Sequence, residues 1–256
     1  MIVEAIILGV IQGLTEFFPV SSTAHLIIIP WFFDWKGDVN TLTFDVALHA
    51  GTLTALLVGF WKDWLEIFTR KKKLLGMIIV ASIPAGVAGL YLNDIIEKTL
   101  RKPLLISLML VTVGLVMLAA EKSQKRKDME KTNFLDALII GIAQAVAIIP
   151  GVSRSGITIS AGLFKGLKRE AAARFSFLIS TPIIAGATLL HLKKCLTSRE
   201  LYDIPLFTVG FISSAITGFL AIVFLLNFLK KYPLNIFVYY RFILAVVIIA
   251  GIWLRG

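Results

Sequence analysis

Two short segments of the sequence carry most of its chemistry. The first reads Gln12-Gly13-Leu14-Thr15-Glu16-Phe17-Phe18-Pro19-Val20-Ser21-Ser22-Thr23-Ala24-His25. Gln12 and Glu16 are four residues apart and share one face of a helix. A carboxylate there suits a general base or a ligand for a hard divalent cation, Mg²⁺ or Ca²⁺, with the Gln12 carboxamide adding a neutral oxygen. Beyond Pro19 come three hydroxyls, Ser21, Ser22 and Thr23, and the imidazole of His25. Ser22 with His25, or Ser21 with His25, can meet on one helical turn, the minimum for a hydroxyl nucleophile and a proton acceptor. Ser21 or Ser22 also suits the N-cap of a helix that starts after the proline.

The second segment, Pro150-Gly151-Val152-Ser153-Arg154-Ser155-Gly156-Ile157-Thr158, is its complement. Gly151 and Gly156 permit close backbone approach, Ser153 and Ser155 offer donors, and the helix start that follows turns its N–H groups toward an anion. Arg154 adds a planar fork suited to phosphate oxygens, and Thr158, one turn on, another donor. A carboxylate, hydroxyls and an imidazole facing a cationic cradle form the inventory of phosphoryl-transfer hydrolysis. Other polar residues carry weaker expectations. Asp45 and His49 share a helix face and either line the cavity or form an interfacial pair. Arg174 either serves the site or, the favoured reading, snorkels to the cytoplasmic interface, and Arg241, beside Tyr239, Tyr240 and Phe242, either reaches the site from the last span or, slightly favoured, joins an aromatic belt. Asp136 and the basic runs 70–73 and 125–127 read as helix-dipole and topology features. The sequence holds no zinc, Walker or dinucleotide motif.

The elements that position these residues follow from the composition. Of 256 residues, 57% are hydrophobic and 16% charged; a soluble domain carries about 25% charged residues. A soluble fold is excluded. Six apolar stretches are long enough to cross a bilayer as helices: 43–61, 74–92, 104–120, 171–190, 205–229 and 236–254. The two chemical segments are not. Each lies between half-helices of about 12 to 16 residues, ~18 to 24 Å long against a hydrocarbon core of ~30 Å. Pro19, and Pro150 with Gly151, mark the breaks. The expected fold is an all-α polytopic membrane protein: six transmembrane helices plus two re-entrant helix–loop–helix hairpins, 5–33 and 134–165, in one integral membrane domain over 1–256. Gly9 aligns with Gly141 and Gln12 with Gln144, and after a one-residue gap Pro19 meets Pro150 and Ser22 meets Ser153. This defines repeats of 1–120 and 134–254 joined by loop 121–133. Three crossings per repeat, an odd number, give the copies inverted topology.

The net charge of +10 does not point to nucleic acid, because the basic residues sit in short loops between apolar runs. Loops 62–73, 121–133, 165–169 and 230–235 carry 15 Lys and Arg, and the opposite side carries 8, among them Lys36, Lys98, Arg101, Lys194 and Arg199. The excess makes the first side cytoplasmic and places both termini outside. The first apolar run contains Glu4, Gln12 and Glu16 without a preceding basic region, so it is not read as a cleavable signal. The lone Cys195 excludes an internal disulfide.

These two segments resemble the signature motifs of the bacterial undecaprenyl-diphosphate phosphatases, also called bacitracin-resistance proteins. The likeness extends along nearly the whole chain, including Phe175-Ser176-Phe177-Leu178 and Tyr240-Arg241-Phe242. The resemblance implies an inner-membrane enzyme that removes the terminal phosphate from C55-isoprenyl diphosphate and returns the lipid carrier to peptidoglycan synthesis. It also implies dependence on a divalent cation, a site opening toward the periplasm and an inverted repeat of re-entrant hairpins. Where the family's first motif begins with Glu or Gln, this chain has Gln12, which leaves Glu16 as that motif's only carboxylate. On this reading Glu16, Ser22, His25 and Arg154 are catalytic. Ser21, Thr23, Gly151, Ser153, Ser155, Gly156 and Thr158 hold substrate, and Glu16 and Gln12 hold the cation. The nucleophile is Ser22, His25 or a bound water. The competing class is a polyisoprenyl-phosphate flippase or secondary transporter, which uses inverted repeats and broken helices for alternating access. Partners are the lipid substrate and membrane lipids, with a homo-oligomer left open.

Overall fold

A computed structural model describes residues 1–197 and 202–255, without the side chains of 93–98 and 194–197. Of the residues singled out above, Arg199 and the side chains of Lys98, Lys194 and Cys195 lie outside that description. The described chain is helical throughout: α1 Ile2–Phe17, α2 Ser22–Phe33, α3 Leu42–Gly59, α4 Trp61–Thr69, α5 Lys72–Thr99, α6 Pro103–Glu121, α7 Phe134–Val146, α8 Arg154–Phe164, α9 Arg169–Thr197, α10 Ile204–Lys231 and α11 Asn235–Arg255. Six of these, α3, α5, α6, α9, α10 and α11, are long and apolar enough to cross a membrane, and they cover the six expected stretches to within a few residues. Only 28–44% of each spanning window is buried inside the protein. The outward apolar remainder needs hydrocarbon as its solvent.

Helix starts follow local chemistry. Thr41 caps α3, Asn133 caps α7 and Asp203 caps α10, each accepting a backbone N–H three residues on. Pro103 occupies the first turn of α6, where its missing N–H costs nothing. The one element the hydropathy pattern does not announce is α4, which lies within the basic loop 62–73. It is amphipathic, with Ile67 buried and Trp61, Leu65 and Phe68 exposed. Helices of that kind lie in the interfacial plane.

The two halves of the chain share one register. Helices begin at Ile2 and Phe134, Ser22 and Arg154, Lys72 and Ile204, and Pro103 and Asn235, each pair 132 residues apart. The halves also exchange helices: α1 of the first packs on α10 of the second, and α7 of the second on α5 of the first. Small residues bring these pairs close. A Cβ on Gly9 would stand 2.6 Å from the Gly210 carbonyl, and one on Gly13 2.6 Å from the Gly218 nitrogen. Across the molecule, a Cβ on Gly141 would stand 2.4 Å from the Ala81 carbonyl. Ser214 secures the neighbouring contact, its Oγ donating to the Leu48 carbonyl at 2.8 Å. In lipid such close backbone packing is the main source of helix association.

This packing makes a paired prediction. Gly141→Val forces backbone apart and is expected to cost ~1–3 kcal/mol or more, visible as a lower melting temperature in detergent. Gly86→Ala is the control: nothing lies within 4 Å of its added carbon, so the melting temperature should hold or rise slightly.

Candidate active site

Both helix pairs, α1–α2 and α7–α8, break in the same way. After α1 the chain turns through Phe18 to Ser21, and Ser21 has φ 78° before α2 begins. After α7 it turns through Gly151, at φ 92°, to Ser153, at φ 73°, and α8 begins. Each of these serines caps the helix it precedes: Ser21 Oγ accepts the Ala24 N–H at 3.4 Å and Ser153 Oγ the Gly156 N–H at 3.2 Å. Structural equivalence therefore joins Ser21 to Ser153. The one-residue gap that paired Ser22 with Ser153 and Pro19 with Pro150 is removed, and Ser22 becomes the counterpart of Arg154.

Those two counterparts meet on a single carboxylate. Ser22 Oγ donates to Glu16 Oε2 at 2.6 Å, and Arg154 Nη2 donates to Glu16 Oε1. Gln12 Nε2 donates to Oε2 at 3.0 Å, as its position one turn earlier on α1 requires. His49 of α3 completes the ring, its Nδ1 3.0 Å from Gln12 Nε2 and 3.5 Å from Glu16 Oε2. Glu16 is buried. A buried carboxylate is tolerated only with partners of this kind. Arg154 is held from its other side by the Ser180 carbonyl at 3.4 Å.

The turns at the two breaks leave carbonyls without helical partners, and Arg241 collects them. Its guanidinium donates to Pro19 O at 3.2 Å, to Gly151 O at 2.9 Å and to Val152 O at 3.1 Å. On α6 it donates to Leu110 O at 3.0 Å and Met109 O at 3.2 Å. Arg241 is wholly buried, 0% exposed. This corrects its expected place in an aromatic belt. The missed signal was in the sequence, since an arginine mid-way along an apolar span is costly without interior partners. Ser155 adds a direct link between the breaks, its Oγ donating to Phe18 O at 3.1 Å.

Other expected residues fall into two groups. A cleft of about 260 Å³ is lined by Glu16, Ser21, Ser22, Thr23, Ser153 and Arg154, together with His49, Gln144, Thr188 and apolar residues of α3, α5, α7 and α9. His25 is not brought to Ser22. Its Nδ1 lies 2.7 Å from Ser21 O, which can only accept, so Nδ1 carries the proton. Its Nε2 meets the Tyr240 hydroxyl at 2.7 Å. Thr158 also turns away from the cleft, donating to Arg154 O at 2.7 Å and touching Ser176 Oγ at 2.6 Å. Gly151 serves packing: a Cβ there would stand 2.7 Å from Ile106 O of α6. Gly156 lies beside Arg241, 3.5 Å from its Nη1 to an ideal Cβ. Asp45 pairs with Arg101 at 3.4 Å and not with His49. Arg174 bonds Asp63 at 2.6 Å and lies over the Phe60 ring, outside the cleft. Asp136 is buried between Lys127 and Lys165, at 3.3 and 3.5 Å, which is more than a dipole feature.

Fold and site together define a multi-pass helical membrane protein whose polar centre is closed between two broken helix pairs. The family model described as bacitracin resistance protein BacA matches residues 5–247, and the chain belongs to that family. It is 59% identical over 245 residues to the undecaprenyl-diphosphatase of Thermodesulfovibrio yellowstonii, covering 96% of this chain and 95% of that one. Against the undecaprenyl-diphosphatase of Moorella thermoacetica the identity is 47%, with 99% of each chain covered. Against that of Caldicellulosiruptor bescii it is 49%, with 99% and 98% covered.

Arg241→Lys keeps the charge but offers at most three donors to five carbonyls. It is expected to lower turnover by about tenfold or more and to lower the melting temperature, because each buried group left unpaired costs ~1–3 kcal/mol. Steady-state rates and melting curves of the purified variant check both.

Proposed function

We infer that the chain is an undecaprenyl-diphosphate phosphatase, a hydrolase acting on a phosphoric anhydride. It converts undecaprenyl diphosphate to undecaprenyl phosphate and inorganic phosphate, recycles the carrier for peptidoglycan synthesis and confers resistance to bacitracin. The observation that carries the reading is the placement of Ser22 and Arg154 on the two oxygens of Glu16. A hydroxyl hydrogen-bonded to a carboxylate, beside an arginine at a helix start, is a nucleophile, a base and an oxyanion donor in one place. The named activity of the relatives agrees. A transporter would also use a repeat with broken helices, but alternating access has no need of the Ser22–Glu16 bond.

In the mechanism we propose, Ser22 Oγ attacks the terminal phosphorus and its proton passes to Glu16 Oε2. The bond from that phosphorus to the bridging oxygen breaks, and the lipid monophosphate leaves. Once Glu16 has released its proton to solvent, it accepts one from a water that hydrolyses the seryl phosphate, and inorganic phosphate departs as Ser22 recovers its proton. Arg154, free to turn from Glu16 to the phosphate oxygens, offsets charge on the transferring group. His25 acts as a positioning residue, tying the first break to Tyr240 of α11. Thr23 and Ser153 line the cleft beside the diphosphate. Among the described residues no group of three acidic, histidine or cysteine side chains stands ready for a metal. The site instead suits a cation bound by one carboxylate and by substrate oxygens. Glu16 and the Gln12 carbonyl oxygen, buried without a partner, are its donors. A Mg²⁺ or Ca²⁺ bound there supplies charge neutralisation for the diphosphate.

The two helix pairs are read as re-entrant hairpins of an inverted repeat, a reading supported by the shared register and by helices too short to span. The membrane is the bacterial cytoplasmic (inner) membrane. The cleft opens toward the periplasm: its walls come from the start of α3 and the later halves of α5 and α9. Those helix ends adjoin the loops poorer in Lys and Arg. The polyisoprenyl tail lies between spans, in contact with membrane lipid.

Phosphate release from C55-isoprenyl diphosphate by the detergent-purified protein tests the activity. Release is expected to stop with a chelator and to fall by about a thousandfold or more in Glu16→Ala, Arg154→Ala and Ser22→Ala. Absence of release by folded wild type would contradict the reading.

A further inference from the structure

The cleft wall carries a buried carboxamide that takes no part in the chemistry above. Gln144 lies in the last turn of α7, is 3% exposed and lines the cleft. Neither its Oε1 nor its Nε2 has a hydrogen-bond partner. Thr188 Oγ1 of α9, also on the cleft wall, likewise has no partner, whereas the polar groups of the two breaks are engaged. Glu16 holds Ser22, Gln12 and Arg154, while Ser21 and Ser153 cap their helices. A buried carboxamide without partners destabilises the protein that carries it, and an apolar side chain of the same size would not. The equivalent residue of the first half shows the contrast. Gln12 is also fully buried, but it is absent from the cleft lining, and its Nε2 faces Glu16 and His49.

We propose that Gln144 is a substrate-binding residue, its two N–H groups donating to phosphoryl oxygens of the diphosphate. A neutral amide suits that task, because it binds oxygens without competing with Arg154 for Glu16. The repeated glutamine thus has two functions: in α1 it orients the carboxylate, and in α7 it holds the group the carboxylate acts upon. This rests on the phosphatase reading and deepens it by naming a further contact to the diphosphate.

The test uses the full chain, with kcat and KM for C55-isoprenyl diphosphate and the melting temperature without substrate. Gln144→Met keeps the shape and removes the amide, so its melting temperature is expected to equal or exceed that of wild type. Its kcat/KM is expected to fall by about tenfold or more, as loss of a hydrogen bond to a charged group does. Gln144→Glu replaces the donors with negative charge and is expected to fall further. The rise in melting temperature given by inorganic pyrophosphate should shrink in both. A Gln144→Met kcat/KM within about twofold of wild type would overturn the assignment. So would a lowered melting temperature in that variant, since it would make the amide a structural group. Wild type without activity would instead remove the phosphatase reading itself.

Discussion

A helix broken in the interior of a membrane protein leaves carbonyls that lipid cannot satisfy, and this molecule contains two such breaks side by side. Arg241 answers for both, donating to Pro19 O in one turn and to Gly151 O and Val152 O in the other. Its remaining bonds anchor it to α6. The guanidinium is buried without an acidic partner among the described residues, so five backbone dipoles share the stabilisation of its charge. This junction holds together the two turns from which Ser21, Ser22, Ser153 and Arg154 reach the cleft. Ser22 and Arg154, the first residues after the breaks, reach Glu16 because the breaks are held together.

The two halves use their shared register unequally. Two serines at the same position, Ser21 and Ser153, take the same left-handed conformation and the same capping role. The residues that follow them have diverged into a hydroxyl and a guanidinium. The carboxylate between them has no counterpart, since Ile148 stands where the register would repeat Glu16. Different side chains at positions of equal register bring the Ser22 hydroxyl and the Arg154 guanidinium to the two oxygens of one carboxylate. Rigid small-residue contacts, Gly9 and Gly13 on α10 and Gly141 on α5, fix that geometry to backbone precision. A site that must hold reacting atoms in line depends on such placement.

Much of the fold could be read from the sequence, because each spanning helix is long and apolar and each hairpin is interrupted by proline and polar residues. Glu16, Ser22 and Arg154 were legible because their types are rare at that depth. What the sequence concealed depends on three-dimensional closure. An arginine mid-way along an apolar span announces that it needs interior partners but not which, and Arg241 finds them in two loops 89 to 222 residues away. Helical spacing alone lets the His25 ring meet the hydroxyl of Ser21 or Ser22. The structure turns its ring to the Ser21 carbonyl and Tyr240, the latter contributed by the last helix. Of the two places open to Asp45 and His49 in the sequence, His49 takes the cleft wall beside Glu16, while Asp45 pairs with Arg101. Even the alignment of the halves needed the structure, since matching the two prolines forces a false gap that the positive-φ serines remove.

The central claim is that Ser22, activated by Glu16, receives the phosphoryl group. Its most direct test is a rapid acid quench of the purified protein turning over C55-isoprenyl diphosphate labelled in the terminal phosphate. Mass spectrometry of the peptides then locates the label. The mechanism predicts a transient phosphoserine at Ser22 that is absent from Glu16→Ala. Label on His25, or full turnover with no labelled peptide at any time, would contradict it.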